Sequence, residues 1–372
     1  MSLYIGIESS CDETSIALLS KNEELEPTSF LETINSYVVE GAVVSSQIKT
    51  HQQYGGVIPE IGARKHADQI HWIFEQLVKD TYTSKKDVLQ VLQDVESIFV
   101  TVEPGLISAL RVGMEFAKTL QFYGQSRLNK TIPVHNVNHL HGHVASSFYE
   151  HGQNLDLSCD RIFPHLHMLV SGGNSQLIYL QSWNDWTIVG KTLDDAAGEC
   201  LDKIGRMLGL PYPGGVYCAR IADLVDENRL DLPYGMKRNP QINYSFSGLK
   251  TAVRYMVQDS SLLTFEKKLS DQEIEALLDP NAQLDQRLRY IQDMCISAQS
   301  VVVEQLIRKF KAAYDQFEPA SIGFSGGVSA NKLLHQKMRD ISHNHDIPLF
   351  VPHISLTGDN AIMVALAGLL QN

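Results

Sequence analysis

Residues 4–19 read YIGIESSCDETSIALL, which is two apolar runs separated by a short polar turn. The run Tyr4–Glu8 and the run Ser15–Leu19 predict β-strands, because isoleucine and leucine dominate them and Ser, Asp and Thr cluster between them. A third strand rich in valine is predicted at Tyr37–Ser45. The chain therefore begins with a meander of three strands, and helical and strand patterns alternate after it.

The same plan recurs in the second half of the chain. Residues 166–180 read LHMLVSGGNSQLIYL, where two apolar runs again flank a polar turn, and another strand is predicted at Trp186–Val189. Helical patterns follow, interrupted by a polar connection at 260–284 that contains room for a short helix. The sequence thus predicts an α/β fold built from a duplicated unit, with a cleft between the halves.

The pattern also suggests where the two domains divide. We expect a first domain over residues 1–134, completed by a C-terminal helix within residues 355–372. Residues 135–354 are then expected to form the second domain and to carry both the metal motif and the nucleotide motifs described below.

Composition limits the class of protein. The chain has 372 residues and a net charge of −12, which counts against nonspecific binding of nucleic acid through overall charge. No apolar stretch is long enough to cross a membrane. The cysteines are odd in number, scattered and never in C-x-x-C, which suits a reducing compartment and disfavours a disulfide framework. They are Cys11, Cys159, Cys200, Cys218 and Cys295.

A histidine cluster offers a metal site. His139 and His143 would project from one face of a helix, where two imidazoles can hold a divalent cation that Asp359 completes. The peptidase signature H-E-x-x-H needs a glutamate after the first histidine, and this chain has Leu140 there. The spacing alone also fits a solvated helix face, since the chain has 14 histidines.

Three glycine pairs stand at junctions between predicted elements. A single pair is an ordinary turn, but a pair also lets a ligand approach the backbone and exposes N–H groups to phosphate oxygens. Two of the three follow an apolar strand as Ser-Gly-Gly, which suggests a nucleotide cradled between the domains. The pairs lie in Ser171-Gly172-Gly173, Pro213-Gly214-Gly215 and Ser325-Gly326-Gly327.

Acidic residues at three places permit two interpretations each. The turn Glu8–Thr14 contains three carboxylates, those of Glu8, Asp12 and Glu13, and it is either a solvated turn or a site that holds a metal or orients a nucleophile. The pair Asp194-Asp195 could be an N-cap pair or a catalytic dyad, and it is interpreted as an N-cap pair because it precedes a helix. Asp202 lies inside that helix, where it would face solvent or accept hydrogen bonds from a ribose.

Longer strings identify a family resemblance. They occur in one order over nearly the whole chain, and together they closely resemble the universal tRNA threonylcarbamoyladenosine-modification family, formerly named O-sialoglycoprotein endopeptidases. The strings are ESSCDET, HQQYGGVIPEIGARKH, NHLHGH, LVSGGNSQL, LDDAAGECLDK, YPGG, YSFSGLKTAV, GGVSAN and GDNAIM.

The resemblance implies the fold of acetate and sugar kinases, heat-shock proteins and actin-like ATPases. It also implies an acyl-type transfer: threonylcarbamoyl passes from threonylcarbamoyl-adenylate to the exocyclic amine of adenosine 37 in tRNAs that read ANN codons, and AMP leaves. By motif match, His139, His143 and Asp359 correspond to metal ligands for zinc, iron or magnesium. Ten further positions correspond to the binding site for the adenylate, AMP or ATP, counting the glycine turn that precedes Asn331. They are Leu169, Val170, Ser171, Gly172, Gly173, Asp202, Gly215, Gly326, Gly327 and Asn331.

The chemistry of such a transfer assigns further roles. An aryl amine is a poor nucleophile and the mixed anhydride is an activated donor, so the enzyme mainly positions groups and stabilises charge. Asp12 or Glu13 would orient or deprotonate the amine. A small-molecule kinase of the same superfamily and a nucleotide-gated scaffold remain alternatives.

The resemblance also guides expectations about partners. We expect tRNA as the substrate, an upstream threonylcarbamoyl-adenylate synthase as the supplier of the donor, a homodimer, and no membrane association. The polar connection and a start that runs directly into a strand favour an organellar member in the mitochondrial matrix over a cytoplasmic one. An acidic protein that binds tRNA must concentrate its cations, and the candidates are Lys203, Arg206, Lys237, Arg238, Lys250 and Arg254.

Overall fold

The computed structural model describes residues 2–83, 85–150, 161–225, 230–236 and 241–371. It contains two mixed β-sheets with helices. The strands are β1 Leu3–Glu8, β2 Glu13–Lys21, β3 Tyr37–Ser46, β4 Val95–Glu103, β5 Val134–Asn138, β6 His165–Val170, β7 Ser175–Ser182, β8 Asp185–Lys191, β9 Ser321–Ser325 and β10 Leu349–Phe350. The α-helices are α1 Phe30–Asn35, α2 Ile48–His51, α3 Pro59–Tyr82, α4 Val88–Asp94, α5 Ile107–Leu128, α6 His139–Ser147, α7 Ala197–Met207, α8 Gly214–Ala222, α9 Ser247–Asp259, α10 Asp271–Leu278, α11 Gln286–Phe317, α12 Lys332–His345 and α13 Ala361–Gln371.

The first sheet has the strand order β3-β2-β1-β4-β5. Strands β1, β2 and β3 pair antiparallel as the predicted meander. Strand β4 pairs in parallel with β1, and β5 pairs in parallel with β4. The central strand β1 is almost entirely buried, as expected of a strand that helices cover on both faces. Its isoleucines pack in one apolar core with residues of α3 and α5.

The second sheet repeats this order. It runs β10-β9-β6-β7-β8, with β6, β7 and β8 as an antiparallel meander and β9 parallel to β6. Every residue of β6 is buried. The two sheets therefore confirm the expected duplication of one α/β unit.

The compact units differ from the division expected from the sequence. The first comprises residues 1–50, 57–161 and 350–372, and the second comprises 51–56 and 162–349. Residues 135–161 belong to the first unit because β5 pairs with β4, and because α6 packs against α13 of the same unit. The histidine motif therefore belongs to the first unit, whereas the glycine turns belong to the second.

The connection at 260–284 contains the short helix α10, as expected from its sequence. Ser270 and Glu273 form a capping box at its start, in which each side chain binds the other's backbone N–H. Among the helices that the structure describes, none combines the length and apolar character needed to cross a bilayer.

Candidate functional site

The three predicted metal ligands come together in the first unit. Nε2 of His143 lies 3.1 Å from Oδ1 of Asp359, and Nε2 of His139 lies 3.5 Å from the same oxygen. Both imidazoles are buried. Taking one ligand atom from each residue, the three atoms lie within 4.8 Å of one another.

Local sequence explains why these side chains meet. Asn138 caps α6 by accepting a hydrogen bond from the N–H of Leu140, so the helix begins at His139 and places His143 one turn later. Asp359 lies shortly before α13, which packs against α6. Gly142 permits this approach, because a Cβ there would lie 3.0 Å from Cγ of Met363.

Glu8 binds the ring nitrogen of His139 that does not face Asp359. Its Oε2 accepts from Nδ1 of His139 at 3.1 Å and from the hydroxyl of Thr101 at 2.5 Å, while its Oε1 accepts from the N–H of Ser10. A carboxylate on Nδ1 fixes the tautomer in which Nε2 carries the lone pair that a metal needs. From the sequence, Glu8 is one of the carboxylates of the acidic turn that could hold a metal or orient a nucleophile, without a role of its own. The available signal was that Glu8 is the one charged residue in the apolar run 4–8.

Electrostatics at this cluster favour the charged forms of His139 and Asp359. Burial opposes a charge on His139, yet Asp359 and Glu8 outweigh it and raise the pKa of His139 to about 9. Burial likewise opposes charge on Asp359, but His139 and His143 lower its pKa to about 2. Negative charge concentrated around two imidazoles is the environment that a cation would occupy.

The residues present fit a divalent metal. Two imidazole nitrogens and one carboxylate oxygen suit zinc or iron better than magnesium, which prefers an all-oxygen shell. Their separations of 3.1 and 3.5 Å match neighbouring vertices of one coordination shell. The buried Glu8 supplies the hydrogen bond that oriented metal-binding histidines characteristically make.

The acidic turn lies in the same unit and is braced by residues from elsewhere. His66 of α3 is buried, with Nδ1 at 2.7 Å from the hydroxyl of Thr14 and Nε2 at 3.0 Å from the carbonyl oxygen of Cys11. The N–H of Gln47 donates to the carbonyl of Asp12. These hydrogen bonds fix the conformation of the turn, which is therefore not a loose solvated loop.

Within this turn, Glu13 lies in an environment that favours its protonated form. Glu13 accepts a hydrogen bond from Ser46 at 3.0 Å. Burial, with the nearby charges of Asp12 and Asp359, raises the pKa of Glu13 to about 9. Glu13 therefore keeps its proton at neutral pH and is a poor general base.

In the second unit, the turn Ser171–Asn174 joins β6 to β7. The hydroxyl of Ser171 accepts from the N–H of Asn174 at 3.1 Å and of Gly173 at 3.3 Å, which tightens the turn. Leu169 and Val170 are buried at the end of β6, directly before this turn. A Cβ at Gly172 or Gly173 would meet nothing within 4 Å, so these two positions face open space.

The other Ser-Gly-Gly turn follows β9. Gly326 has φ +90°, and a Cβ there would overlap the carbonyl oxygen of Val170, so this position requires glycine. Gly327 begins a short 3₁₀ helix and has open space where a Cβ would be. The turn therefore lies against the end of β6, close to the first glycine turn.

The structure gives Asn331 a capping role. Its Oδ1 accepts from the N–H of Leu334 at the start of α12, and its Nδ2 donates to Gln299 at 2.7 Å. This residue therefore supports the segment that follows Gly327. A nucleotide would have to contact Asn331 without breaking its hydrogen bonds to Leu334 and Gln299.

Asp202 and Gly215 are brought together directly. Oδ1 of Asp202 in α7 accepts from the N–H of Gly215 in the first turn of α8 at 2.7 Å. The two helices approach closely because Gly205 and Gly214 face each other, where a Cβ on Gly205 would lie 2.6 Å from Cα of Gly214. The pair Gly214-Gly215 is thus a site of helix packing as well as a turn.

The interpretation of Asp194-Asp195 as the N-cap of α7 is wrong. The cap position of that helix is Ala196. Asp194 instead accepts from the N–H groups of Phe246 and Ser247 at the start of α9. Asp195 binds the ammonium groups of Lys203 at 2.7 Å and Lys250 at 2.5 Å.

The candidate cations for RNA are mostly paired. Besides the two lysines on Asp195, Arg206 lies 3.1 Å from Glu266. Arg254 lies over the ring of Phe265 at 5.8 Å. Lys237 and Arg238 lie outside the described residues.

Comparison with known proteins gives consistent results. The model of the tRNA N6-adenosine threonylcarbamoyltransferase family matches residues 39–366. Proteins of that name from Francisella tularensis subsp. holarctica and Thermosipho africanus are 34% and 36% identical over 369 residues, covering 98% of this chain and 93% of theirs.

A solved structure supports the fold alone. Full-length HypF in the phosphate- and nucleotide-bound form aligns with a TM-score of 0.50 and 10% identity, over 100% of this chain and 46% of that one. With the repeated strand order, this confirms the duplicated fold of the acetate and sugar kinases, heat-shock proteins and actin-like ATPases. On its sequence match over most of its length, the chain belongs to the tRNA N6-adenosine threonylcarbamoyltransferase family.

Proposed function

We propose that this protein transfers the threonylcarbamoyl group from threonylcarbamoyl-adenylate to the exocyclic amine of adenosine 37 in tRNAs that read ANN codons. The observation that carries the proposal is the buried cluster of His139, His143 and Asp359 with Glu8 behind it, in a chain of this family. Burying these charges is costly, which favours a functional role for the cluster over a purely structural one.

In the proposed reaction, the N6 nitrogen of adenine attacks the carbamoyl carbon of the donor. A C–N bond forms, the bond from that carbon to the phosphate oxygen breaks, and AMP leaves with the electron pair. The attacking nitrogen must also lose a proton. Because Glu13 holds its own proton at neutral pH, we assign the acceptor role to Asp12.

We assign the metal ligands as the sequence predicted them. A zinc or iron ion held by His139, His143 and Asp359 would supply Lewis-acid stabilisation of developing negative charge. Glu8 keeps Nε2 of His139 available for it through the bond to Nδ1.

We assign the adenylate part of the donor to the glycine turns of the second unit. Gly173→Val and Gly327→Val should fit the protein itself, since a Cβ at either position meets nothing within 4 Å. Each substitution should therefore reduce AMP affinity, measured by calorimetry, because it obstructs only a ligand. Gly248→Val is the matched control, since Gly248 is exposed and equally open. Unchanged affinity in both turn variants would place the nucleotide elsewhere.

The decisive experiment is reconstitution with unmodified tRNA, threonine, bicarbonate, ATP and a separate threonylcarbamoyl-adenylate synthase. Mass spectrometry of the digested tRNA should detect threonylcarbamoyladenosine, and the His143→Ala variant should not produce it. Formation of ADP with a phosphorylated small molecule would favour the kinase alternative. Nucleotide binding without turnover would favour the scaffold.

We further propose that the protein works as a homodimer in the mitochondrial matrix. The support is the polar connection around α10 and the family membership. Sedimentation of the purified chain and imaging of the tagged natural protein test the two parts separately. A monomer in the first experiment or a cytoplasmic signal in the second would contradict the corresponding part.

A further inference from the structure

Four polar side chains form a row in the core of the second sheet. His165 and His167 belong to β6, Ser321 and Ser325 belong to β9, and all four are fully buried. Nδ1 of His165 lies 2.7 Å from the hydroxyl of Ser321, and its Nε2 lies 3.1 Å from Nδ1 of His167. Nε2 of His167 lies 2.8 Å from the hydroxyl of Ser325.

The direction of these hydrogen bonds follows from one end of the row. The hydroxyl of Ser321 donates to the carbonyl oxygen of Ile162 at 2.5 Å, so it accepts from Nδ1–H of His165. A neutral imidazole with a proton on Nδ1 accepts at Nε2, and His167 therefore donates from its own Nδ1. Nε2 of His167 then accepts from Ser325, and the row is one chain of bonds running in a single direction.

The chain runs in this direction only when both imidazoles are neutral. Burial lowers the pKa of His165 to about 3. A second proton on Nε2 of His165 would turn that acceptor into a donor facing the Nδ1–H of His167, and His167 would have to change its tautomer. The low pKa of His165 keeps that nitrogen an acceptor at neutral pH.

The chain of bonds ends where the nucleotide turns begin. In the parallel register, His165 lies opposite Ser321 and Leu169 lies opposite Ser325. Strand β6 continues into Ser171-Gly172-Gly173, and Ser325 is followed at once by Gly326, whose backbone lies against the carbonyl of Val170. The alignment of β6 with β9 thus sets the relative position of the two turns.

Stability alone does not explain this network. A fully bonded buried network can often be replaced by apolar groups of similar shape at little cost in the free energy of unfolding. What such a network supplies is one defined geometry, since any shift of β6 along β9 would leave buried donors and acceptors unpaired.

We propose that His165 and His167 are positioning residues that fix Ser325 and hold the two Ser-Gly-Gly turns in the geometry that adenylate binding requires. This role rests on the proposed function, because it takes those turns as the adenylate site. It adds residues to the site that touch no substrate and act only through the ends of β6 and β9.

Two single-atom deletions test the role. Ser325→Ala removes the donor next to the turn, and we expect AMP affinity to fall about tenfold, equivalent to one buried hydrogen bond. Ser321→Ala cuts the chain at its far end, and we expect a smaller loss of about threefold. Ser182→Ala, at an exposed position in β7, should bind AMP like the wild type. Wild-type affinity in both Ser321→Ala and Ser325→Ala would overturn the proposal.

A second variant separates positioning from a merely structural role. Replacing His165 and His167 by leucine and both serines by alanine should leave the thermal midpoint nearly unchanged while AMP affinity falls. Nitrogen-15 NMR of the wild type should show both imidazoles as neutral Nδ1–H tautomers. Retained AMP affinity in the apolar variant, or different tautomers, would refute the role. A wild-type protein that fails to bind AMP would refute the proposed function as well, which distinguishes the two failures.

Discussion

At the end of β1, the carboxylate of Glu8 is completely buried and nevertheless charged. Burial opposes that charge, but His139 and the side chain of Ser10 outweigh it and lower the pKa of Glu8. Three donors, from Ser10, Thr101 and His139, satisfy the two oxygens. At the residue scale, the proposed metal site therefore includes Glu8 in addition to the three proposed ligands.

Glu8→Gln should weaken metal binding without removing a ligand. An amide cannot accept from all three donors, because its NH₂ group must face one of them. We expect metal affinity to fall about 10- to 100-fold, measured by competition with a chromophoric chelator. Glu40→Gln is the control, since Glu40 accepts from Ser20 on β2 and has no histidine partner in the described structure. Equal affinity in wild type and Glu8→Gln would show that this hydrogen bond does not orient His139.

Asp12 and Glu13 make a second comparison at the same scale. Asp12→Asn should lower kcat about 100-fold or more if it accepts the proton of the amine. Glu13→Gln replaces a protonated acid by a neutral amide of the same shape, so kcat should remain within a few fold at pH 7. Both variants should retain the metal in elemental analysis. A larger loss in Glu13→Gln than in Asp12→Asn would reverse the assignment.

The helices and strands were easier to predict from the sequence than the tertiary contacts between them. Strands β1, β2, β6 and β7 follow from short apolar runs around polar turns, and α6 follows from its own cap. Asp194 shows what a local pattern misses: it does cap a helix, but α9, which begins more than fifty residues later. Such choices depend on tertiary packing, which no short window of sequence contains.

The compact units also divide the chain differently from the order of its motifs, for the same reason. The histidine helix α6 adjoins the second half in sequence, yet it packs against α13 from the end of the chain. The ligands His139 and His143 could be proposed from their spacing, but Glu8 and His66 reach the site only through pairing of β1 with β4 and packing of α3.

Packing of α13 on the first sheet gives a prediction at the element scale. A side chain at Gly6 of β1 would overlap the carbonyl oxygen of Ala361, the first residue of α13. Gly6→Val should therefore destabilise the protein by about 3 kcal/mol, measured by urea unfolding. Because Asp359 lies just before α13, metal affinity should fall with it. Ala42→Val, at an exposed position of β3, should alter neither property. A stable Gly6→Val protein would mean that α13 can shift without loss.

For the whole molecule, the two units share one strand order but hold different chemistry. The first contains the histidine–aspartate cluster and the acidic turn, whereas the second contains the glycine turns. Duplication of the fold was therefore predictable from the repeated strand–turn–strand pattern. The distribution of function between the copies was not, since it depends on which side chains stand at equivalent positions.

Net charge poses the remaining question at this scale, because a protein of −12 must bind a polyanion. Lys203, Lys250 and Arg206 are each held by carboxylates, which reduces the positive potential they offer. In the described part of the chain, no carboxylate lies within ion-pair distance of Arg254. Arg254 lines a cavity on α9 together with Lys250 and Tyr255, whose ring is exposed.

Arg254→Glu should therefore weaken tRNA binding while AMP binding stays unchanged. A lost phosphate contact should also reduce the slope of log affinity against log salt by about one unit. Lys250→Glu should have a smaller effect on binding through charge, since Asp195 already neutralises Lys250. Lys118→Glu is the matched charge reversal, at an exposed residue of α5 paired with Glu115. If filter binding at several salt concentrations gave the same affinity and slope for Arg254→Glu as for Lys118→Glu, the tRNA would have to contact another face of the protein or a second subunit.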